Sequence, residues 1–183
     1  AIYTQLKDKL VSRLQSLRAA DPRLDSALVG PMIKENEAVR LKKWLDQAVA
    51  EGATVLVGGE QQGVMFEPTL LEQVSPTSEI YQNEAFGPVA ILEPYEQFEQ
   101  GIERINQSRF GLQAGVYTQN LQQMLYAWDQ LHVGGVIIND IPSFRVDNMP
   151  YGGVKDSGLG REGIQSAIRD MQEERLLVIH QPG

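Results

Sequence analysis

Residues 114–138, AGVYTQNLQQMLYAWDQLHVGGVII, place a predicted strand, a helix and a second strand in one uninterrupted stretch. The two strands are the short apolar runs at 114–117 and 135–138. Asn120 is a suitable N-cap for the helix, because its side-chain oxygen can accept a hydrogen bond from a free backbone N–H. The apolar residues of this helix recur on one face and are predicted to be buried: Leu121, Met124, Leu125, Trp128 and Leu131.

The same alternation of strand and helix begins further upstream. The run VAIL at 89–92 is typical of a buried strand, and the helix that follows carries Phe98, Ile102 and Ile105 on its apolar face. Strands that alternate with helices over short connections imply right-handed crossovers and a parallel sheet. This part of the chain therefore predicts an α/β fold.

Before these strands, the sequence predicts a helix, a strand and a weaker strand candidate. The helix spans 35–51 with Gly52 as its C-cap. Its inward-facing residues are predicted to be Val39, Leu41, Leu45, Ala48 and Val49. Residues 53–57 form a β-branched run typical of a strand, whereas Pro68 confines the candidate at 66–71 to an edge or a bulge.

The end of the chain predicts one more helix and a last strand. The apolar run at 176–179 predicts the strand. No linker, repeat or low-complexity tract separates these elements, so we predict a single α/β domain. The helix is indicated by apolar residues at helical spacing: Ile164, Ala167, Ile168 and Met171.

Composition limits the classes of function. The 183 residues carry a formal charge of −8, which argues against nucleic acid or an anionic membrane as partner. The chain has no cysteine, which excludes disulfides and thiolate metal sites, and its two histidines are far apart, so we expect no metal site. The first residues lack the features of a signal peptide, and no apolar run is long enough to span a membrane. We expect a cytoplasmic protein.

Residues 158–163, GLGREG, match the glycine pattern of dinucleotide-binding loops. That chemistry needs a strand that leads into the turn and an acidic residue about twenty positions later, which holds a ribose. The sequence predicts no such strand, because 151–157 is typical of a loop. It also has no acidic residue at the end of a strand about twenty positions later. We therefore predict a glycine-rich turn that opens the last helix, with Glu162 near the helix N-terminus.

Several motifs resemble those of one enzyme family. The first is QNEAFGP at 82–88, directly before a buried strand. In order along the chain follow NQSRFGL at 106–112, GGVIIN at 134–139 and PYGGVKDSG at 150–158. Together they resemble the aldehyde dehydrogenase superfamily over essentially the whole chain. The resemblance implies a three-layer α/β fold with a mostly parallel sheet and flanking helices, like the catalytic domain of that family. It also implies that 1–174 form the C-terminal part of this domain and that 175–183 form an oligomerisation tail strand.

The motif at 82–88 implies a cofactor site. In the family, its glutamate accepts hydrogen bonds from the nicotinamide ribose hydroxyls and its phenylalanine packs beside the nicotinamide. The resemblance therefore assigns these roles to Glu84 and Phe86, with NAD or NADP as the cofactor. Two carboxylate oxygens suit a vicinal diol. The alternative is that Glu84 caps a turn and Phe86 belongs to the core.

The motif at 150–158 implies a substrate site. The aromatic residue after its proline lines the substrate tunnel in the family, which points to Tyr151. We place Phe144 and Arg145, from the preceding loop, in the same wall. Arg145 is unusual beside an apolar aldehyde, so we hypothesise that it grips the anionic tail of a small carboxylated, hydroxylated or phosphorylated aldehyde. The alternative is a surface ion pair of Arg145 with one of two nearby carboxylates, Asp140 or Asp147.

The remaining matches imply proton transfer and assembly. Glu162 matches a family glutamate in a proton relay behind the general base, although an Arg–Glu pair at a helix start also has a structural explanation. Arg161 matches a residue near the subunit interface. The last strand resembles a tail that joins a partner subunit's sheet, which makes Leu177 and Ile179 interface residues. A homo-oligomer, either a dimer or a tetramer, is implied for the full-length form.

The chain departs from the family pattern in one respect. The nucleophilic cysteine, the general-base glutamate, the oxyanion-stabilising asparagine and the nucleotide-binding domain would all lie upstream of Ala1. We therefore expect a fragment that lacks dehydrogenase activity, taken from an enzyme that oxidises an aldehyde to a carboxylic acid. The alternative is a naturally short, non-catalytic module for binding or assembly, and Ala1 in place of an initiator methionine favours the fragment.

Overall fold

A computed structural model describes residues 2–24 and 27–181. The chain divides into two compact units, Ala1–Pro94 and Tyr95–Gly183, and each has its own apolar core. The predicted boundary between 174 and 175 remains a prediction. The first residue of the predicted domain and the last two residues of the predicted tail lie outside the described residues.

The first unit combines helices with a three-stranded sheet in the order β1-β4-β5. Strand β4 pairs antiparallel with β1 and parallel with β5, and β2 and β3 form a separate hairpin pair. The core residues Leu41, Phe66 and Leu71 are fully buried. The elements are α1 (Tyr3–Gln15), α2 (Glu35–Ala50), β1 (Thr54–Val57), β2 (Gln61–Gln62), β3 (Met65–Phe66), β4 (Thr69–Glu72), α3 (Glu79–Gln82) and β5 (Val89–Leu92).

Strand β4 is central, so the prediction of an edge strand is wrong; its ladder with β1 does carry an irregularity, between Val55 and Val57 on β1. The strand begins at Thr69, directly after Pro68, so the proline removes no donor from the ladder. The Thr69 N–H donates to the Pro88 carbonyl at 2.8 Å, at the start of the parallel pairing with β5. A proline at the entrance of a strand is therefore compatible with a central position.

Helix α2 buries three of its five predicted inward-facing residues, Leu41, Leu45 and Ala48, together with Ala38. Val39 and Val49 are exposed, contrary to the prediction. The helix ends as predicted, with Gly52 at a φ of +111° just beyond it. The buried residues recur every three or four positions. Two of them are alanines, whose small side chains allow the helix to pack closely. The buried residues are Ala38, Leu41, Leu45 and Ala48.

The second unit contains the predicted strand–helix–strand crossover. Strands β7 and β8 pair in parallel and α5 connects them, which confirms the α/β class. The Asn120 side chain accepts hydrogen bonds from the N–H groups of Gln122 and Gln123, as expected of an N-cap. The elements are α4 (Phe98–Gln107), β6 (Phe110–Gly111), β7 (Gln113–Val116), α5 (Leu121–Gln130), β8 (Gly135–Ile138), β9 (Val154–Lys155) and α6 (Ile164–Asp170).

The core of the second unit is narrower than predicted. Ala127 is the fully buried residue of α5, and Leu131 just after the helix is also buried. Trp128 is 71% exposed, so the prediction of one wide buried face is wrong. Helix α5 packs closely where the small side chain of Ala127 lies. The larger side chains on either side of Ala127 lie outside this contact. Ile105, Leu121 and Leu125 are also exposed, against prediction. The predicted last helix is confirmed as α6, and its apolar residues Ile164, Ile168 and Met171 are exposed.

Residues 176–179 form no strand within the described part of the chain. Leu177 and Ile179 are 80% and 75% exposed. A β-strand exists through its hydrogen bonds to a neighbour, and no described residue pairs with this segment. The predicted tail strand, which would pair with a partner subunit's sheet, remains a prediction.

The GLGREG segment forms a turn, as predicted. The prediction of a loop at 151–157 is wrong in one respect, because strand β9 lies there; it pairs antiparallel with β6, so no parallel strand leads into the turn. Gly158, Gly160 and Gly163 all have positive φ values, and α6 begins at the residue after Gly163. Among the described residues, no helix has the length and apolar character needed to cross a bilayer.

Helix α1 has no buried residue and is anchored to the first unit by polar contacts. The Tyr3 hydroxyl donates to Glu72 at 2.9 Å, and the Lys7 ammonium lies 3.1 Å from the same carboxylate. The hydrogen bond from Tyr3, together with Lys7, lowers the pKa of the Glu72 carboxyl. The folded state therefore favours the ionised carboxylate, and this contribution to stability is lost as the pH falls through the lowered pKa.

We expect Glu72→Gln to destabilise the protein by about 1 kcal/mol at pH 7, because the charge-assisted contacts are lost. The difference from wild type should be smaller at pH 3 than at pH 7, because the wild-type carboxyl also becomes protonated as the pH falls through its lowered pKa. Urea unfolding at both pH values measures this, with Glu60→Gln as an exposed control in the same unit. An equal destabilisation at both pH values would contradict the electrostatic account.

Candidate active-site elements

The predicted cofactor residues lie in the first unit, on the turn between α3 and β5. Glu84 is exposed and makes no hydrogen bond or ion pair with the residues that the structure describes. Phe86 is 75% exposed, with a φ of +47° in the left-handed region. The alternative that Phe86 belongs to the core is wrong. Both side chains are free to contact a ligand.

The backbone beyond Phe86 is held close to the core. A Cβ atom at Gly87 would overlap Leu41 and would lie 3.0 Å from the Met32 sulfur, so a larger residue here would displace these core side chains. The Thr69 N–H donates to the carbonyl of Pro88, which joins the end of the turn to β4. The core thus fixes the C-terminal side of the turn that presents Glu84 and Phe86.

Arg40, on α2, holds the middle of the same turn and was missed by the sequence analysis. Its Nη2 donates to the Ala85 carbonyl at 2.9 Å, and its Nε donates to Glu37 at 2.7 Å. The spacing of Glu37, Arg40 and Trp44 on one helix face indicates local contacts of this kind. The bond to Ala85 joins positions far apart in sequence, so no local pattern could predict it.

The predicted substrate residues lie in the second unit, where a backbone bridge joins two of the positions. The Tyr151 N–H donates to the Glu162 carbonyl at 3.2 Å, and the Glu162 N–H donates to the Tyr151 carbonyl at 2.5 Å. This isolated antiparallel bridge closes the glycine-rich loop between them. Tyr151 and Glu162 therefore have a fixed backbone separation.

Arg145 completes a cluster with these two residues. Its guanidinium carbon lies 4.5 Å from the centre of the Tyr151 ring, and its Nη2 donates to the Glu162 carboxylate at 3.0 Å. The partner of Arg145 is thus Glu162, and not Asp140 or Asp147. The side chains of Arg145 and Glu162 are 48% and 65% exposed. A pair this exposed contributes little to stability, so a competing anion can displace the carboxylate at low cost.

Phe144 and Arg161 have different surroundings. The Phe144 ring is partly exposed, and its backbone carbonyl accepts a hydrogen bond from the Gln113 side chain at 3.1 Å. Arg161 donates from Nη1 to the carbonyls of Gly153 and Gly160 at 3.0 and 2.7 Å. Arg161 therefore braces the glycine-rich loop from within, and its predicted place at a subunit interface remains a prediction.

A groove of about 400 Å³ is lined by Pro150 and Gly163, which are next in sequence to the bridge, and by Arg169 on α6. Arg169 is a second cation near the predicted substrate loop, which makes it a competing candidate for anion binding. The described residues contain no group of three or more histidine, aspartate or glutamate side chains arranged to hold a metal ion.

Comparison with known proteins decides the family. The model of the aldehyde dehydrogenase family matches residues 1–177. The chain belongs to this family. Sulfoacetaldehyde dehydrogenase of Neptuniibacter caesariensis is 45% identical over 178 residues, which are 97% of this chain and 39% of that protein. The 3-sulfolactaldehyde dehydrogenase of Priestia aryabhattai is 40% identical over 98% of this chain and 38% of its own length.

Solved aldehyde dehydrogenases share the fold. Aldehyde dehydrogenase 21 from Physcomitrella patens, in complex with the reaction product succinate, superposes with a TM-score of 0.94 at 39% identity. That match covers 97% of this chain and 37% of the solved one. The glyceraldehyde-3-phosphate dehydrogenase from Methanocaldococcus jannaschii, complexed with NADP, gives a TM-score of 0.86 at 36% identity, over 93% of this chain and 37% of that one. The chain thus spans less than two fifths of each of these solved chains.

Proposed function

We propose that the chain acts as part of a longer NAD(P)-dependent aldehyde dehydrogenase that oxidises a small anionic aldehyde to a carboxylic acid. The observation that carries the proposal is the guanidinium of Arg145, held over the Tyr151 ring by a displaceable carboxylate. Several relatives support it through the substrates in their names, which are sulfonated aldehydes and aspartate semialdehyde. Each of these substrates carries an anionic group beside the aldehyde.

In this proposal, Arg145 binds the anionic tail of the substrate. A guanidinium presents parallel N–H donors that match two oxygens of a sulfonate or carboxylate. The Tyr151 ring keeps the guanidinium in place from below, and Phe144 supplies an apolar wall for the short carbon chain. Glu162, released from Arg145 when the substrate binds, is then free to accept a proton as part of a relay.

The first unit binds the cofactor in the same proposal. The free carboxylate of Glu84 accepts hydrogen bonds from the ribose hydroxyls, and the exposed ring of Phe86 packs against the nicotinamide. An oxidised nicotinamide cofactor supplies a hydride acceptor when it is bound. Solved relatives in complex with NADP and with NAD support both forms as candidates.

The covalent steps belong to other parts of the longer protein. Thiolate attack requires a cysteine, and this chain has none. We further propose that the longer protein is a homo-oligomer, with Leu177 and Ile179 pairing across an interface near Arg161. Four consecutive exposed apolar side chains at 176–179 support this proposal, since such a segment gains from pairing with a neighbour.

A substrate panel tests the proposal. The longer protein is assayed with NAD and with NADP against sulfoacetaldehyde and against propanal, a neutral aldehyde of similar size. We expect kcat/KM for the anionic aldehyde to be at least about tenfold higher, the effect of one charge-assisted contact. Equal values for the two aldehydes would show that anion recognition is not the basis of specificity.

A further inference from the structure

The backbone at Phe86 is in a conformation that a bulky residue does not adopt without support. Its φ of +47° lies in the left-handed region, where the Cβ atom approaches the following carbonyl. The exposed ring of Phe86 supplies little packing of its own. The conformation must therefore be held by contacts to the neighbouring backbone. The residue just before it, Ala85, has such a contact through its carbonyl.

That contact comes from Arg40, whose guanidinium makes two hydrogen bonds and one stacking contact. One edge donates to the Ala85 carbonyl at 2.9 Å and another to the Glu37 carboxylate at 2.7 Å. The plane of the group stacks over the Trp44 ring, with its carbon 4.1 Å from the ring centre. Both Trp44 and Ala85 pack against the core of the first unit. The guanidinium thus connects a rigid helix face to the middle of the turn.

We infer that Arg40 is a positioning residue, which fixes the turn that carries Glu84 and Phe86 in a shape that binds the nicotinamide end of the cofactor. The cofactor part of this inference rests on the proposed function. Lysine cannot replace arginine here, because an ammonium has no planar face to stack and no rigid fork to bind two acceptors. The remaining amino group, Nη1, is buried and finds no hydrogen-bond partner among the described residues. Burial of an unsatisfied donor is unfavourable, and this offsets part of what the other contacts contribute to stability.

Because the unsatisfied Nη1 offsets part of the stabilisation by Arg40, a substitution can loosen the turn with little effect on stability. A positioning role can then be distinguished from a structural one. Arg40→Met removes the two hydrogen bonds and also removes the unsatisfied Nη1, while its thioether still packs on Trp44. We therefore expect little change in the melting temperature but a loosened turn. Lys42→Met is the matched control, because Lys42 lies on the same helix and pairs with Asp46 on the surface.

The experiment uses the longer protein with both variants and with Arg40→Lys. In Arg40→Met, the Kd for NADH measured by fluorescence should rise about tenfold, the effect of one lost charge-assisted contact. The KM for the aldehyde should stay within about twofold, since no substrate contact is removed. Hydrogen exchange of the Val89 amide, which donates to the Gly87 carbonyl at 2.8 Å at the end of the turn, should become faster. Arg40→Lys should resemble Arg40→Met, and Lys42→Met should resemble the wild type.

The two readouts distinguish failure of this inference from failure of the proposed function. Unchanged hydrogen exchange of the Val89 amide in Arg40→Met would overturn the positioning role, whatever happens to activity. Faster exchange with unchanged NADH binding would support positioning of the turn and would overturn the proposed cofactor role of Glu84 and Phe86. A rise in the aldehyde KM equal to the rise in Kd would also overturn the inference, because it would indicate general loss of structure.

Discussion

Purified alone, the 183-residue chain should oxidise no aldehyde in the presence of NAD or NADP. The reaction begins with attack of a thiolate on the aldehyde carbon, and the chain contains no cysteine. The elements that we propose to bind and orient the cofactor and the substrate are the Glu84–Phe86 turn and the Arg145 cluster. Binding without a nucleophile leaves the barrier of the chemical step in place, so the expected loss of turnover is complete.

The measurement is the absorbance of reduced nicotinamide over several hours, at high chain concentration, with the longer protein as the positive control. Sulfoacetaldehyde and propanal serve as substrates, so that a change of specificity is not mistaken for loss of activity. Cofactor-dependent turnover that co-purifies with the chain would refute the prediction. It would also require a nucleophile other than cysteine within these residues.

Replacement of Arg145 with methionine in the longer protein should raise the KM for an anionic aldehyde by about 10- to 100-fold, since a charge-assisted hydrogen bond contributes about 1.5–3 kcal/mol. The KM for a neutral aldehyde should change less than about twofold, because the thioether fills much of the same volume. Stability should be nearly unchanged, since the ion pair with Glu162 is half exposed. Steady-state kinetics on both substrates measures the contrast.

Arg169→Met is the matched control for this substitution, because it removes the same charge from the same unit. Arg169 lines the groove beside the Tyr151–Glu162 bridge and does not belong to the Arg145 cluster. An anion-specific effect in Arg169→Met, with none in Arg145→Met, would move the anion site to that groove. Equal effects of Arg145→Met on both substrates would reject anion recognition by this residue.

The parts of the fold that local sequence determines were predictable. The Asn120 cap and the parallel pairing of β7 and β8 follow from residues that lie within one crossover. The position of β4 was not predictable in this way, because its neighbours β1 and β5 come from before and after it in the chain. The prediction of which α5 residues are buried was wrong for a related reason. Apolar spacing identifies a helix face, but only packing decides how much of that face is covered.

The site shows the same limit. Motifs identified Glu84, Phe86, Tyr151 and Glu162 as positions of interest, yet they carry no information on which side chains meet. The pairing of Arg145 with Glu162 depends on a bridge between two loop positions, and two nearer carboxylates made it unforeseeable. The bond from Arg40 to Ala85 spans 45 positions and depends on how α2 packs. Contacts between distant segments require the structure.

The bridge between Tyr151 and Glu162 has a consequence for how substrate preference can change. It ties both residues to one rigid loop that Arg161 braces from within, so neither can be shifted without the other. By contrast, the loop at 139–148 is exposed along its whole length and has few backbone hydrogen bonds. We therefore expect new specificities to arise through exchanges in that loop, where Arg145 lies, while Glu162, the residue proposed for proton transfer, keeps its place.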